Sequence, residues 1–251
     1  MKIRLDKLLV ERGLAPSRER AQAMILAGKV LVNEQKAEKA GASVDASAAI
    51  RLLGEDLRYV SRGGVKLEHA LDHWKIDVRG RECVDVGAST GGFTDCLLRH
   101  GAAAVTAIDT GYGQMDYRLR RDPRVRLLER TNARYLKAED LPRTPTLVTV
   151  DVSFISATLV LPAVVRAAFR QARGEVPREL IVLVKPQFEA GREKVGKGGI
   201  VRDPEAQAEA VEKVRRKVLE VGAKRTDAIE SPIRGAEGNR EFLLYAVFDE
   251  P

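Results

Sequence analysis

From Arg81 onward, short apolar runs alternate with helix-length segments, the pattern of a parallel sheet covered on both faces. The runs Glu82–Val86, Ala104–Ile108, Val125–Leu128, Leu147–Val150 and Leu180–Val184 are nearly continuous in apolar residues and predict buried strands, joined by crossovers that are mostly helical. Thr226–Ser231 and Phe242–Phe248 are separated only by a glycine-rich polar turn, so they are expected to pair antiparallel. A last helix is expected over Glu205–Val221. The fold class is α/β, with a mostly parallel sheet whose last strand is antiparallel.

A different pattern precedes it. Leu5, Leu8 and Leu9 recur at helical spacing up to Gly13, and Ser17 followed by Glu19 and Arg20 predicts an N-cap opening a second helix that ends at Gly28. Lys29–Asn33, the stretch around Val44 and Ile50–Leu53 predict strands of one small sheet. The expected organisation is a small N-terminal α+β domain over residues 1–60 and a larger α/β domain over residues 61–251.

Charge adds a partner class. The 251 residues carry 43 Lys and Arg against 36 Asp and Glu, net +7, which favours a polyanion. Residues 1–62 hold 12 cations and 8 anions, so the basic face is expected to be N-terminal. The longest uncharged stretch, Val152–Val165, has 14 residues, short of the roughly 20 a membrane helix needs. Met1–Asp6 alternates charged and apolar residues without an apolar signal core, so a cytoplasmic location is expected. Cys83 and Cys96 lack metal-ligand spacing and read as buried thiols. No metal is expected.

Candidate chemistry gathers where parallel strands end, because open α/β sheets bind ligands at their carboxyl edge. The first strand enters Asp85-Val86-Gly87-Ala88-Ser89-Thr90-Gly91-Gly92-Phe93, a glycine-rich turn opening a helix. Ser89 occupies the position where a dinucleotide site has glycine for the pyrophosphate. The loop therefore suits an adenosyl ligand without phosphates, with NAD as the competing cofactor. Asp109, 22 residues beyond Gly87, is placed to accept hydrogen bonds from ribose hydroxyls, and Asn132 to border an adenine. Asp151 and Lys185 end the fourth and fifth strands, and Glu241 begins the antiparallel last strand at the same edge. A lysine ending the apolar run Ile181–Val184 stands at the rim of a low-dielectric site, where it can serve as a base. Lys66 follows Gly63-Gly64 on a helix expected just before the sheet.

Two resemblances sharpen this. Arg4-Leu5-Asp6-Lys7-Leu8-Leu9, Ser17-Arg18-Glu19-Arg20-Ala21 and Gly28-Lys29-Val30-Leu31-Val32-Asn33 resemble the RNA-binding domain named after ribosomal protein S-four, the alpha-L motif. That resemblance implies that Arg4, Lys7, Arg18, Arg20 and Lys29 face an RNA backbone. Tyr59–Lys66, Asp85–Phe93, Asp151–Ser156, Val184–Glu189 and Gly238–Phe242 resemble the TlyA family, whose Rossmann-like catalytic domain is of the FtsJ ribose-methyltransferase type.

This second resemblance implies S-adenosylmethionine as cofactor, held by Asp85, Gly87, Ser89, Thr90, Gly91, Gly92, Phe93, Asp109 and Asn132. It also implies a Lys66-Asp151-Lys185-Glu241 tetrad that transfers methyl to a ribose 2'-hydroxyl, with Lys185 helping to take the proton while the other three hold it. The implied substrate is cytidine ribose in ribosomal RNA. The loop Gly191–Gly199, glycine-rich and basic, is expected to be mobile and to close over RNA. Two other readings compete: a non-catalytic RNA-binding assembly factor, and a membrane-active haemolysin, an activity attached to the family's history.

Overall fold

The chain, seen in a computed structural model, is described over residues 2–52, 58–141, 145–169, 177–235 and 237–249. It divides into two units, Met1–Asp56 and Leu57–Pro251. In the first, β1 (Lys2–Arg4) runs directly into α1 (Leu5–Glu11), followed by α2 (Arg18–Leu26). Ser17 Oγ accepts the Arg20 amide at 3.2 Å, the expected N-cap. Gly28 closes the second helix at φ +66, a conformation that other residues adopt only with strain. Leu5, Leu9, Ala21, Met24 and Ile25 form the core with Val30.

The strands of this unit are β2 (Val30–Val32), β3 (Gln35–Lys36), β4 (Ser43–Asp45) and β5 (Ile50–Leu52). They do not make one sheet: β2 pairs with β3 and β5, whereas β4 pairs with β1 through Ile3 opposite Val44. β1 and β3 are too short for a periodic signal, so their partners could not be assigned from the pattern. Leu53, expected to end the last strand, lies outside the described residues.

The second unit opens with α3 (Gly63–Trp74), which buries Leu67, Ala70 and Leu71 and stops at Lys75 in a left-handed conformation, φ +54. The glycines expected before this helix form its first turn. Next come β6 (Glu82–Val86), α4 (Gly92–Arg99), β7 (Ala104–Ile108), α5 (Tyr117–Arg120) and β8 (Val125–Leu128). β9 (Leu147–Val150), α6 (Leu161–Ala168), β10 (Glu179–Val184) and α7 (Pro186–Glu189) follow. α8 (Pro204–Glu220), β11 (Arg225–Glu230) and β12 (Phe242–Val247) complete the unit.

These strands form one seven-stranded sheet in the order β11-β12-β10-β9-β6-β7-β8. The five from β10 to β8 are parallel, and β12 is antiparallel to both β10 and β11. Every residue of β9 and β10 is buried, as a strand covered on both faces requires. α8 packs Ala206, Ala210, Val214 and Val218 inward at four-residue intervals, while Asp203 caps it by accepting the Glu205 amide at 3.1 Å. Two crossovers depart from expectation: α5 has only four residues, and β8 reaches β9 through the single turns Ala133–Tyr135 and Ala138–Asp140.

A buried polar clamp holds the sheet edge opposite the strand ends considered below. Arg81 donates to Thr146 Oγ1 at 2.9 Å and to the Thr146 and Pro177 carbonyls, and pairs with Glu179 at 2.5 Å. Tyr245 donates to the same Glu179, so the two charges are compensated inside the core.

Candidate active site

The turn after β6 is built from residues with left-handed backbone, Gly87 at φ +85, Ser89 at +47 and Gly91 at +93. The Gly87 and Ala88 amides donate to the Ile108 carbonyl, which ties the turn to the end of β7. Asp109 fastens this turn from the end of β7: Oδ2 accepts the Ser89 amide at 2.7 Å and Oδ1 the Gly111 amide at 2.6 Å. It fixes the turn, and each oxygen keeps a second lone pair for a hydroxyl. Asn132 caps a short turn by accepting the Arg134 amide at 3.1 Å.

Two adjoining cavities open at this edge, of about 590 and 500 Å³, and Gly87, Ser89, Asp151, Ser153 and Phe154 line both. The smaller is walled by Ile108, Ala133, Ile155 and Val160, with Asp109 and Asn132 as polar groups. No Lys or Arg is among its lining residues, and two carboxylates are. Such a surface disfavours a pyrophosphate and suits an uncharged nucleoside joined to a cationic group, which fits S-adenosylmethionine better than NAD. Thr90, Gly92 and Phe93 line the larger cavity, as do Lys66, Asp151, Lys185 and Glu241.

Asp85 and Gly91 line neither cavity. Asp85 is sealed beneath the turn, where Oδ2 accepts from Thr94 at 2.7 Å and Oδ1 from Thr149 at 3.1 Å. Burial pushes its carboxyl up to about 7, against the two hydroxyl bonds and with help from the Asp151 charge. Asp85 therefore supports the turn from below, and the expected contact with a ligand is not made by its side chain.

The four ionisable groups form two pairs rather than one lysine held by three partners. Lys66 pairs with Glu241, their side chains only 9% and 3% exposed. Lys185 Nζ lies 2.6 Å from Asp151 Oδ1 and donates to Ser153 Oγ at 2.7 Å. Ser153 is thus a holder of Lys185 that strand topology did not reveal.

The segment after Asp151 contributes more. Phe154 is 92% exposed at φ +64, and its ring is tilted against Phe188 at 5.4 Å. Glu189 accepts from Ser156 Oγ at 2.5 Å and from the Ala157 amide at 2.6 Å, with Lys213 3.3 Å away. These bonds brace the loop after β9 against the helix after β10. Each aromatic stands three residues after a strand-end residue, Phe154 after Asp151 and Phe188 after Lys185, which was the available signal for them.

The loop Gly191–Gly199 carries a single helical turn at Arg192–Lys194 and an antiparallel bridge between Gly196 and Ile200. Asn239 fastens it, donating to the Gly199 carbonyl at 2.9 Å and accepting the Val201 amide at 3.0 Å. Val195 and Gly199 reach the larger cavity. Cys83 and Cys96 are buried, as expected, and burial raises the Cys83 thiol to about 12. Among the described residues no cluster of three or more His, Cys, Asp or Glu could hold a metal ion, and no helix is long and apolar enough to cross a membrane.

In the first unit, Asp6 is fully buried and accepts from Arg4 at 2.9 Å, Arg18 at 3.1 Å and Gln22 at 2.9 Å. These bonds, the one from Arg4 first, hold its carboxyl far below the usual range. Asp6 thereby gathers two of the predicted RNA-facing arginines, each about half exposed. Lys7 is exposed, and Arg20 and Lys29 are half-buried.

A parallel sheet with an antiparallel last strand, a glycine-rich turn and a cation-free nucleoside cavity beside paired lysines and carboxylates defines the S-adenosylmethionine-dependent methyltransferase class. Residues 59–248 match the FtsJ-like methyltransferase family and residues 3–50 match the S4 domain. The chain belongs to the FtsJ-like methyltransferase family, in the branch that carries this RNA-binding domain. It is 46% identical over 243 residues to the 16S/23S rRNA (cytidine-2'-O)-methyltransferase TlyA of Mycobacterium tuberculosis, covering 96% of this chain and 88% of the relative. It is 39% identical to hemolysin A of Brachyspira hyodysenteriae, covering 98% of this chain and all of the relative. A solved structure from Streptococcus thermophilus, named as a candidate hemolysin, superposes with a TM-score of 0.72 at 40% identity, over 99% of this chain and 89% of that one.

Proposed function

We propose that this chain transfers a methyl group from S-adenosylmethionine to the 2'-hydroxyl of a cytidine ribose in ribosomal RNA. Residues 1–60 act as the RNA-binding domain and residues 61–251 as the transferase domain. The observation that carries this reading is the convergence of Lys66, Asp151, Lys185 and Glu241 on one cavity that opens into a second lined by carboxylates and no cation. The identity to the Mycobacterium tuberculosis methyltransferase supports the choice of substrate.

When bound, S-adenosylmethionine supplies a methyl group made electrophilic by its sulfonium. The protein's part is orientation and proton handling. Lys185 helps to take the 2'-hydroxyl proton as the oxygen attacks the methyl carbon in line with sulfur. Asp151 and Ser153 fix Nζ for that transfer, and Asp151 stabilises the ammonium that results. The Lys66–Glu241 pair forms a second, buried support on the cavity wall. Asp109 and Asn132 hold the ribose and adenine ends, while Gly87, Ser89, Thr90, Gly92 and Phe93 shape the turn around the ligand. Phe154 offers its exposed ring as a stacking face for the target base. Arg4, Lys7, Arg18, Arg20 and Lys29 contact RNA phosphates, and the protein works in the cytoplasm, where ribosomal RNA is found.

The test is methyl transfer from radiolabelled S-adenosylmethionine to purified ribosomal subunits and naked ribosomal RNA, with label mapped to base or ribose. Wild type should label a cytidine ribose and Lys185→Ala should not, with cofactor affinity retained. Absence of label with RNA and cofactor binding intact would favour a non-catalytic assembly factor.

A further inference from the structure

The basic character of this chain is not concentrated where its first unit lies. Residues 117–137 hold eight Lys and Arg against two Asp and Glu, nearly the net charge of the whole molecule. All eight, Arg118, Arg120, Arg121, Arg124, Arg126, Arg130, Arg134 and Lys137, are exposed. They lie on α5, on the turn that leads into β8, on β8 itself at the outer edge of the seven-stranded sheet, and on the turns that follow it.

Three carboxylates offset part of this charge: Asp116 pairs with Arg118, Asp122 with Arg124 and Glu129 with Arg120. Arg121, Arg126, Arg130 and Arg134 form no ion pair among the described residues. Exposed tyrosines interleave with them, Tyr112 at 65%, Tyr117 at 68% and Tyr135 at 70%. An arginine lies over each ring: Arg130 at 4.4 Å from Tyr112, Arg121 at 5.4 Å from Tyr117 and Arg134 at 5.5 Å from Tyr135. Large exposed aromatics separated by unpaired guanidiniums combine phosphate attraction with base stacking, the two terms that bind unpaired nucleic acid. A stripe whose sole task was to solvate an edge strand would need charge and no aromatic rings.

We propose that this outer edge, from Tyr117 through Arg126 and on toward Lys137, is a nucleic-acid surface of the methyltransferase unit in its own right. It holds an unpaired segment of the RNA substrate, with phosphates on the unpaired Arg121 and Arg126 and on Arg124, which stays exposed beside its Asp122 partner, and a base on Tyr117. This rests on the reading of the chain as an RNA methyltransferase and adds where the RNA runs beyond the residue being methylated. The edge begins beside the nucleoside cavity, since the Arg130 amide donates to the Gly111 carbonyl at 3.1 Å and Gly111 lines that cavity.

The experiment uses the full chain and ribosomal RNA, comparing Arg121→Ala/Arg124→Ala/Arg126→Ala and Tyr117→Ala with wild type. A control, Arg216→Ala/Lys224→Ala/Arg225→Ala, removes equal charge from α8 and the β11 side, residues that are also exposed. The edge triple should weaken RNA binding at least tenfold and flatten the plot of log affinity against log salt by about 2, at roughly 0.7 per single-strand phosphate. Cofactor affinity and thermal midpoint should hold, and Tyr117→Ala should weaken binding with the salt slope unchanged. Equal effects of the edge and control triples would overturn the proposal, as would an unchanged slope accompanied by aggregation, which marks an edge guard. Wild-type RNA binding without methyl transfer would instead count against the catalytic reading, and the two failures are separable.

Discussion

A Cβ added to Gly87 would stand 2.3 Å from the carbonyl oxygen of Asp151, so the glycine-rich turn rests directly on the backbone of a tetrad residue. The contact is reinforced from below, where the Asp151 amide donates to the Val86 carbonyl at 2.8 Å. One close approach therefore sets both a wall shared by the two cavities and the position of the carboxylate that pairs with Lys185.

Gly87→Ala should consequently damage cofactor binding and turnover together. The substitution meets φ +85 and a backbone atom that cannot rotate away. A strained non-glycine residue costs about 1–3 kcal/mol, and here the clash adds to it. Equilibrium dialysis should show at least a tenfold loss of S-adenosylmethionine affinity, with the thermal midpoint several degrees lower. Wild-type affinity in the variant would show that the turn yields easily.

Lys66 and Glu241 are buried together, so removing one strands the other. Lys66→Met and Glu241→Gln should each lower unfolding free energy, Lys66→Met the more, by about 3–5 kcal/mol for a charge left unpaired in the interior. The double variant Lys66→Met/Glu241→Leu should recover much of that loss in urea melts while remaining inactive. Recovery of activity along with stability would reduce the pair to a structural role.

Phe154 lines both cavities, and its exposed ring is tilted against Phe188. Phe154→Ala should raise KM for RNA by roughly tenfold or more, since a stacked base contributes about 1–3 kcal/mol. Cofactor affinity should stay at the wild-type value, and Phe154→Tyr should restore the RNA KM. A fall in cofactor affinity of the same size would place the ring against the cofactor instead.

The sheet was legible because its central strands are buried on both faces and therefore read as nearly unbroken apolar runs. Strand polarity then carried Asp151, Lys185 and Glu241 to one edge without any knowledge of their contacts. How they pair was not legible, because Lys66 meets Glu241 across 175 positions and Ser153 reaches Lys185 through side-chain geometry alone. The pairing of β1 with β4 rests on three-residue strands, which carry too few alternations to announce a partner. Charge was legible only in part. Counting by domain favoured the N-terminal unit, but Asp6 neutralises part of its arginine cluster, and the denser basic segment lies on the edge at β8. The bond that ties Asn239 to Gly199 was not legible either, because forty residues separate the two.

Asp85 ties the site to solution pH through stability. Its ordinary value is 3.8 and the folded value is about 7, so the native state binds the proton more tightly than the unfolded chain. Stability from this group is fully present below about pH 4, declines as pH rises through 7, and is absent above it. At about 1.4 kcal/mol per pH unit inside the window, wild type should lose on the order of 2–3 kcal/mol between pH 5 and pH 8. Asp85→Asn keeps the shape and remains uncharged, so its urea stability should lack this slope and exceed wild type increasingly toward pH 8. The Asp151 charge is a smaller cause of the shift than burial, so Asp151→Asn should reduce the slope without removing it. Parallel pH profiles for wild type and Asp85→Asn would mean that Asp85 stays ionised in the fold, with Thr94 and Thr149 sufficient to hold the charge.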